Sequence, residues 1–258
     1  MLDEVKGLVL RVTNVGESDR MLTIYTEEAG LISAMAKGSR SLKSSKLAAT
    51  SQFCYASFIL FTKGDKYWVR EASLIESFFG LRNSIEALAL AAYVVDVLSD
   101  VATADPEPEL LRLTLNSLFA IAEKRAEIPK IKAAFEMRAM AILGFMPEVL
   151  SCAHCGRREG EFFFDVMAGM LECDACHKRS VRTHTTLSDE HESHLVFILS
   201  YGAKLALSYC IYSPLEKLFS FTLSSEDMHI FSRVTEGYLI NHLEHSFKTL
   251  DFYYEVNP

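Results

Sequence analysis

The chain has 258 residues, 50% of them hydrophobic and 23% charged, with a formal net charge of -8. That composition excludes wholesale disorder and collagen-like repetition. The longest apolar stretches, such as Ala87 to Leu98, are interrupted by Asp96 and are too short to span a bilayer. Asp3 and Glu4 stand where a signal peptide needs basic residues, so the reading is a soluble, cytoplasmic protein with no membrane partner.

The first 80 residues read as five short strands with polar turns: Val5 to Val15, Met21 to Thr26, Leu31 to Ala36, Phe53 to Phe61 and Tyr67 to Glu76. Such a series predicts a small antiparallel barrel. One connection is long: Lys37 to Ser51, between the third and fourth strands. After Arg82 the spacing becomes helical. Asn83 or Ser84 caps a helix to about Val101, Pro106-Glu107-Pro108 opens a second through Lys124, and Pro129 starts a third that ends near Gly144. Residues 151–180 hold cysteine pairs, glycines and aromatics without a helical period. Ser188 restarts a helix, and Ser224 or Ser225 caps a final long one to about Lys248. The expected class is α+β, with domains at 1–80 (barrel), 81–150 (helical, first part), 151–180 (cysteine module) and 181–258 (helical, second part).

Charge is uneven along this chain. Residues 1–80 carry ten basic and nine acidic side chains, which leaves 16 basic and 25 acidic for the remainder. An anionic partner is therefore expected at the N-terminal region. Lys37-Gly38-Ser39-Arg40-Ser41-Leu42-Lys43-Ser44-Ser45-Lys46 places a cation every third residue or so and contains no acid. Its small residues read as a flexible, exposed loop whose backbone can approach phosphate, a source of sequence-independent and salt-dependent affinity. Arg20, Lys37, Arg40, Lys43 and Lys46 are the candidate DNA contacts. Tyr67 and Trp68 are adjacent on the fifth strand, so one faces in and the other out, where it could stack on a base. On the residues alone, a nucleic-acid surface and an ordinary solvated loop both remain open.

Cys152-Ala153-His154-Cys155 and Cys173-Asp174-Ala175-Cys176 form two C-x-x-C pairs. Two such turns can present four thiolates to one tetrahedral ion, and the spacing predicts structural zinc held by Cys152, Cys155, Cys173 and Cys176. Two disulfides are disfavoured in a cytosolic chain, and a redox pair would need a thioredoxin-like setting. His154 and His177 lie beside better-spaced ligands. Cys54 and Cys210 read as core residues. No nucleophile elbow, phosphate-binding glycine loop or H-E-x-x-H occurs, and His191 and His194 lack a third ligand. A zinc-dependent hydrolase or deaminase would need an open metal position and a nearby Glu; Glu172 beside Cys173 is the only neighbour offered, and four thiolates leave no position open. The expectation is no enzyme. Lys130 and Arg138, mixed with Ile131, Phe135 and Met137, are the candidate partner-binding residues, although Phe135 and Met137 also fit a core.

The chain resembles the RecO family of bacterial DNA-repair and recombination mediators. The residues that carry the likeness are Arg20, the segment Lys37-Gly38-Ser39-Arg40 through Lys43-Ser44, and Phe135-Glu136-Met137-Arg138 followed by Leu143-Gly144-Phe145-Met146-Pro147. Cys152, Cys155-Gly156, Gly169, Cys173 and Cys176 complete it. The match runs to about residue 180. The resemblance implies an OB-fold, a helical domain with an inserted zinc module, and binding to single- and double-stranded DNA. It further implies annealing of complementary strands, work with RecR to load RecA onto coated single strands in the RecF pathway, and contact with the tail of the single-stranded-DNA-binding protein. Its location would be the bacterial cytoplasm, at the nucleoid. The competing reading is a zinc-ribbon interaction adaptor that does not touch DNA.

Overall fold

The computed structural model describes residues 4–64, 66–184 and 195–257. The predicted helix start at Ser188 and the pair His191 and His194 lie outside them. The chain divides into two compact units, residues 1–125 with 247–258, and residues 126–246.

The first unit begins with five strands: β1 (Glu4–Val15), β2 (Asp19–Thr26), β3 (Gly30–Ala36), β4 (Tyr55–Lys63) and β5 (Lys66–Glu76). They close in the order β1-β2-β3-β5-β4, with β3 and β5 parallel and β4 returning to β1. This is the predicted OB-fold barrel. Alternation fills it: Val9, Leu22, Ile24, Ala34, Phe58, Leu60 and Val69 point inward into one core. An extra residue, Leu10, breaks the β1–β2 register between Val9 and Arg11. The interrupted ladder is used elsewhere, since Val9 exchanges backbone hydrogen bonds with Phe53 and Cys54.

Helix α1 (Ile85–Val101) is capped by the Ser84 hydroxyl, which accepts from the Ala87 N–H at 3.0 Å. Helix α2 (Pro108–Ala122) starts on a proline whose missing N–H costs nothing at that position. The connection between them closes on the barrel. Leu31 N–H donates to the Thr103 carbonyl at 2.8 Å, and Tyr25 Oη accepts from the Glu107 N–H at 2.8 Å. Gly30 permits this approach: it has φ +57°, and a Cβ there would stand 2.5 Å from Thr103 O.

The second unit contains α3 (Ile128–Ile142), β6 (Glu148–Cys152), β7 (Phe162–Asp165), β8 (Met170–Cys173), α4 (Asp174–His184), β9 (Val196–Leu199), α5 (Tyr201–Tyr212) and α6 (Ser225–Leu243). Its strands form a sheet in the order β6-β8-β7-β9. Two features differ from the sequence reading. Residues 151–180 do contain helix, since α4 begins directly after Cys173, and a strand, β9, precedes a helix that starts at the Ser200 cap. The expected last helix also ends early, at Leu243 and not near Lys248, and a further helix follows it. Glu244 takes a left-handed conformation (φ 50°, ψ 32°) that ends α6, and α7 (Lys248–Val256) returns to the first unit. There Phe247 meets Tyr93 edge-on at 5.7 Å and Thr249 Oγ1 donates to Asp96 at 2.7 Å. Seven α-helices thus lie among the described residues, none long and apolar enough to cross a membrane.

α3 and α6 share a buried ionic cluster. Lys132 Nζ lies 2.7 Å from Glu136 and 2.6 Å from Glu236, and Thr235 Oγ1 donates to Glu136 at 2.8 Å. Lys132 and Glu136 are fully buried, so each charge depends on its partner. Replacing Lys132 by Ala should leave two carboxylates facing each other in an apolar setting. Urea unfolding is expected to show a loss of about 3–5 kcal/mol, whereas a surface control, Lys124→Ala, should change little.

Candidate metal centre and nucleic-acid surface

The two C-x-x-C turns come from different strands, the first at the end of β6 and the second where β8 runs into α4. Pairing of β6 with β8 brings them together, and the sulfurs of Cys152, Cys155, Cys173 and Cys176 lie within 4.8 Å of one another. Such a set could hold a metal ion. Cys173 N–H donates to Cys152 Sγ at 3.3 Å. Burial pushes the Cys152 thiol up, but N–H groups of Cys173, Cys155 and His154 outweigh it and bring the thiol down to about 6. Cys176 is favoured as thiolate by Arg179, yet burial and the other three sulfurs push it up to about 11. Four sulfur donors this close together fit a soft or borderline metal.

A carboxylate braces the two turns. Glu172 accepts from His154 Nε2 at 2.7 Å and from His177 Nδ1 at 2.8 Å, with Ser180 Oγ at 3.0 Å. His177 also stacks on Phe163, ring centroids 4.1 Å apart. The two histidines are therefore engaged with Glu172, and Glu172 itself joins residues flanking both cysteine pairs.

On the barrel, the five candidate cations separate into two groups. Arg20 is half-buried, and its Nη1 donates to Leu47 O and Thr50 O at 3.1 Å and to Thr50 Oγ1 at 3.0 Å. Arg40 Nη1 donates to Gly16 O at 2.8 Å, and its own N–H to Ser18 O at 3.0 Å. These two hold the 37–54 segment onto β2 and the β1–β2 turn. The loop is accordingly built rather than loose: Ser39, Ala49 and Thr50 are buried, and Asp19 accepts from the Gly38 N–H at 2.8 Å. Lys43 is exposed, Lys46 half-buried, and the exposed Lys37 has its Nζ 5.1 Å from the centre of the Trp68 ring. None of the five is ion-paired to a carboxylate among the described residues. Tyr67 packs against the barrel core, so Trp68 is the outward member of that pair.

The family profile for the C-terminal part of recombination protein O matches residues 82–251, and that for its N-terminal part matches residues 1–78. The chain belongs to the RecO family. A DNA repair protein RecO from Acetivibrio thermocellus is 34% identical over 252 residues, covering 96% of this chain and 95% of that one. One from Bacillus pumilus is 33% identical over 179 residues, 68% of this chain and 69% of its own length. One from a Thermoanaerobacter species is 25% identical over 250 residues, 96% of each chain. This chain is thus a RecO-family DNA repair protein.

The candidate partner residues of this RecO-family chain lie in the second unit. Ile131, Phe135 and Met137 are fully buried and offer no surface. Arg138 is tied through Nε to the Cys210 carbonyl and through Nη2 to the Ser213 carbonyl. Lys130 lies over the ring of Phe221 at 5.6 Å. The residues they touch, Phe221 and Ser213, line a cavity of about 730 Å³ together with Leu205, Tyr209, Tyr212 and Lys217, among others. Tyr201, Leu205 and Tyr212 are 72%, 49% and 55% exposed, an apolar edge along α5. The sequence carried a signal for this edge in the one-turn spacing of Tyr201 and Leu205, but an apolar helix reads as core by default.

Proposed function

We propose that the chain is a recombination mediator that binds single- and double-stranded DNA through its barrel, anneals complementary strands and acts with RecR to load RecA onto coated single strands. It works without a catalytic step, in the bacterial cytoplasm at the nucleoid. The observation that carries this reading is the set of three lysines, Lys37, Lys43 and Lys46, none ion-paired to a carboxylate among the described residues, on a loop that Arg20 and Arg40 hold in place against an OB-fold barrel. A preformed cationic surface needs little ordering on binding, and phosphate contacts alone serve both strands of an annealing reaction. RecR, RecA and the single-strand binder enter through the family likeness. Anisotropy of labelled oligonucleotides, single-stranded and duplex, tests the reading: affinity should fall linearly in log salt for both, and absence of binding to either at low salt would refute it.

The four cysteines are proposed to hold one structural zinc, Cys152 and Cys155 from the first turn and Cys173 and Cys176 from the second. When bound, the ion neutralises the thiolates and ties β6 to the β8–α4 junction. Each backbone N–H directed at a sulfur tempers the charge.

The groove beside α5 is proposed to take the acidic and apolar tail of the single-stranded-DNA-binding protein. Apolar side chains would fill the space between Leu205, Tyr212 and Phe221, and Lys130 and Lys217 would meet the acids. Arg138 shapes the groove wall through Ser213, which makes Lys130 the better test of charge. Lys130→Glu is expected to weaken tail-peptide binding about tenfold, and Leu205→Asp to abolish it, in calorimetric titration. Unchanged affinity in both would remove the groove from consideration.

A further inference from the structure

A row of apolar side chains, half-buried except for the exposed Phe61, crosses the outer face of the barrel from strand to strand. In the ladder register Met21 of β2 stands opposite Met35 of β3, Met35 opposite Trp68 of β5, and Trp68 opposite Phe61 of β4. Their neighbours Leu22, Ala34, Ala36, Leu60 and Val69 are all in the core, so alternation turns these four outward. Four adjacent strands give the row a length of about 14 Å. Phe61 is 38% exposed, and its ring runs nearly parallel to that of Trp68, 21° apart in plane with centroids at 6.4 Å. Lys37 reaches over the Trp68 ring from the start of the cationic loop. Two residues along from Phe61 and Trp68, Lys63 and Lys66 face each other across the β4–β5 turn, both exposed.

We propose that Met21, Met35, Trp68 and Phe61 form a track for the unpaired bases of single-stranded nucleic acid. The inference rests on the nucleic-acid reading of the barrel and adds which part of the ligand is touched. Aromatic rings and thioethers offer flat or deformable apolar contact to any base, without the hydrogen-bond pattern that would select a sequence. Lys37 joins the track to the loop lysines, so a strand can set phosphates on the loop and lay bases on the row. Duplex bases are stacked on one another and cannot reach it. The lysines should therefore serve both forms of DNA, while the row favours single strands.

Trp68 is the only tryptophan of the chain, which makes it a reporter of its own site. The full-length protein is titrated with a labelled single-stranded oligonucleotide and with a blunt duplex of the same length, following label anisotropy and tryptophan emission together. The single strand is expected to quench Trp68 in step with anisotropy, and the duplex to leave its emission nearly unchanged at equal occupancy. Phe61→Ser is expected to weaken single-strand binding roughly 5- to 50-fold, with duplex affinity and salt slope retained. Binding by anisotropy without change in Trp68 emission, or equal quenching by duplex, would overturn the track while leaving the loop reading intact. An equal loss of both affinities in Phe61→Ser would make the residue structural and overturn it too. No anisotropy change with either DNA would remove the nucleic-acid reading, and the track with it.

Discussion

Replacing Cys173 by Ser is expected to release the metal and to dissolve the sheet built around it. Strands β6 to β9 are four or five residues long. Their apolar content rests on a few buried side chains, among them Val149, Phe162, Phe164 and Leu171. A sheet that small has little stability of its own, and structural zinc contributes on the order of 10 kcal/mol in comparable modules. Cys173 is chosen because it is fully buried and its sulfur lies 3.6 Å from that of Cys155, so its loss removes a central donor of the set. Elemental analysis should find about one zinc per wild-type chain and near none in the variant. Hydrogen exchange should show protection lost over residues 148–173 while the barrel keeps its own. A zinc-free wild-type protein with four freely titratable thiols would contradict the metal assignment.

Changing Lys37, Lys43 and Lys46 together to Ala is expected to weaken DNA binding similarly across sequences. The slope of log affinity against log salt should fall by roughly 2–3 units. These three are chosen because Arg20 and Arg40 support the loop. Arg20→Ala would release the carbonyls of Leu47 and Thr50 and confound loss of a contact with loss of a shape. The triple variant should stay folded, since the hydrogen bonds that hold the loop, from Arg20, Arg40 and the Gly38 N–H, are left in place. Full affinity with an unchanged slope would place DNA elsewhere, and Arg157 and Arg158 after the first cysteine pair would be examined next.

The barrel was legible in the sequence because five short runs rich in apolar and aromatic residues are separated by polar turns; Leu22-Thr23-Ile24 needs no tertiary information to be assigned. The cysteine spacing was legible for a similar reason: two residues between ligands is a local geometric requirement. What stayed hidden depends on non-local contacts. Arg20 reads as a surface cation until the carbonyls of Leu47 and Thr50, far along the chain, are seen to surround it. The serine-rich loop reads as flexible because composition does not reveal that Ser39 and Thr50 are buried. The break at Glu244 has no glycine or proline to mark it, and Phe247 turns away because Tyr93 receives it. Glu172 reads only as a carboxylate next to Cys173 until His154 and His177 are seen to engage its two oxygens.

The most direct test of the mediator reading is annealing of two complementary single strands by the full-length protein across a salt series. Annealing requires only that phosphate repulsion be screened while bases stay free to pair. The expected result is acceleration over the spontaneous rate at low salt, declining steeply as salt rises and reduced in the Lys37, Lys43, Lys46 triple variant. Annealing at the spontaneous rate at every salt concentration, by protein that is folded and carries its metal, would contradict it.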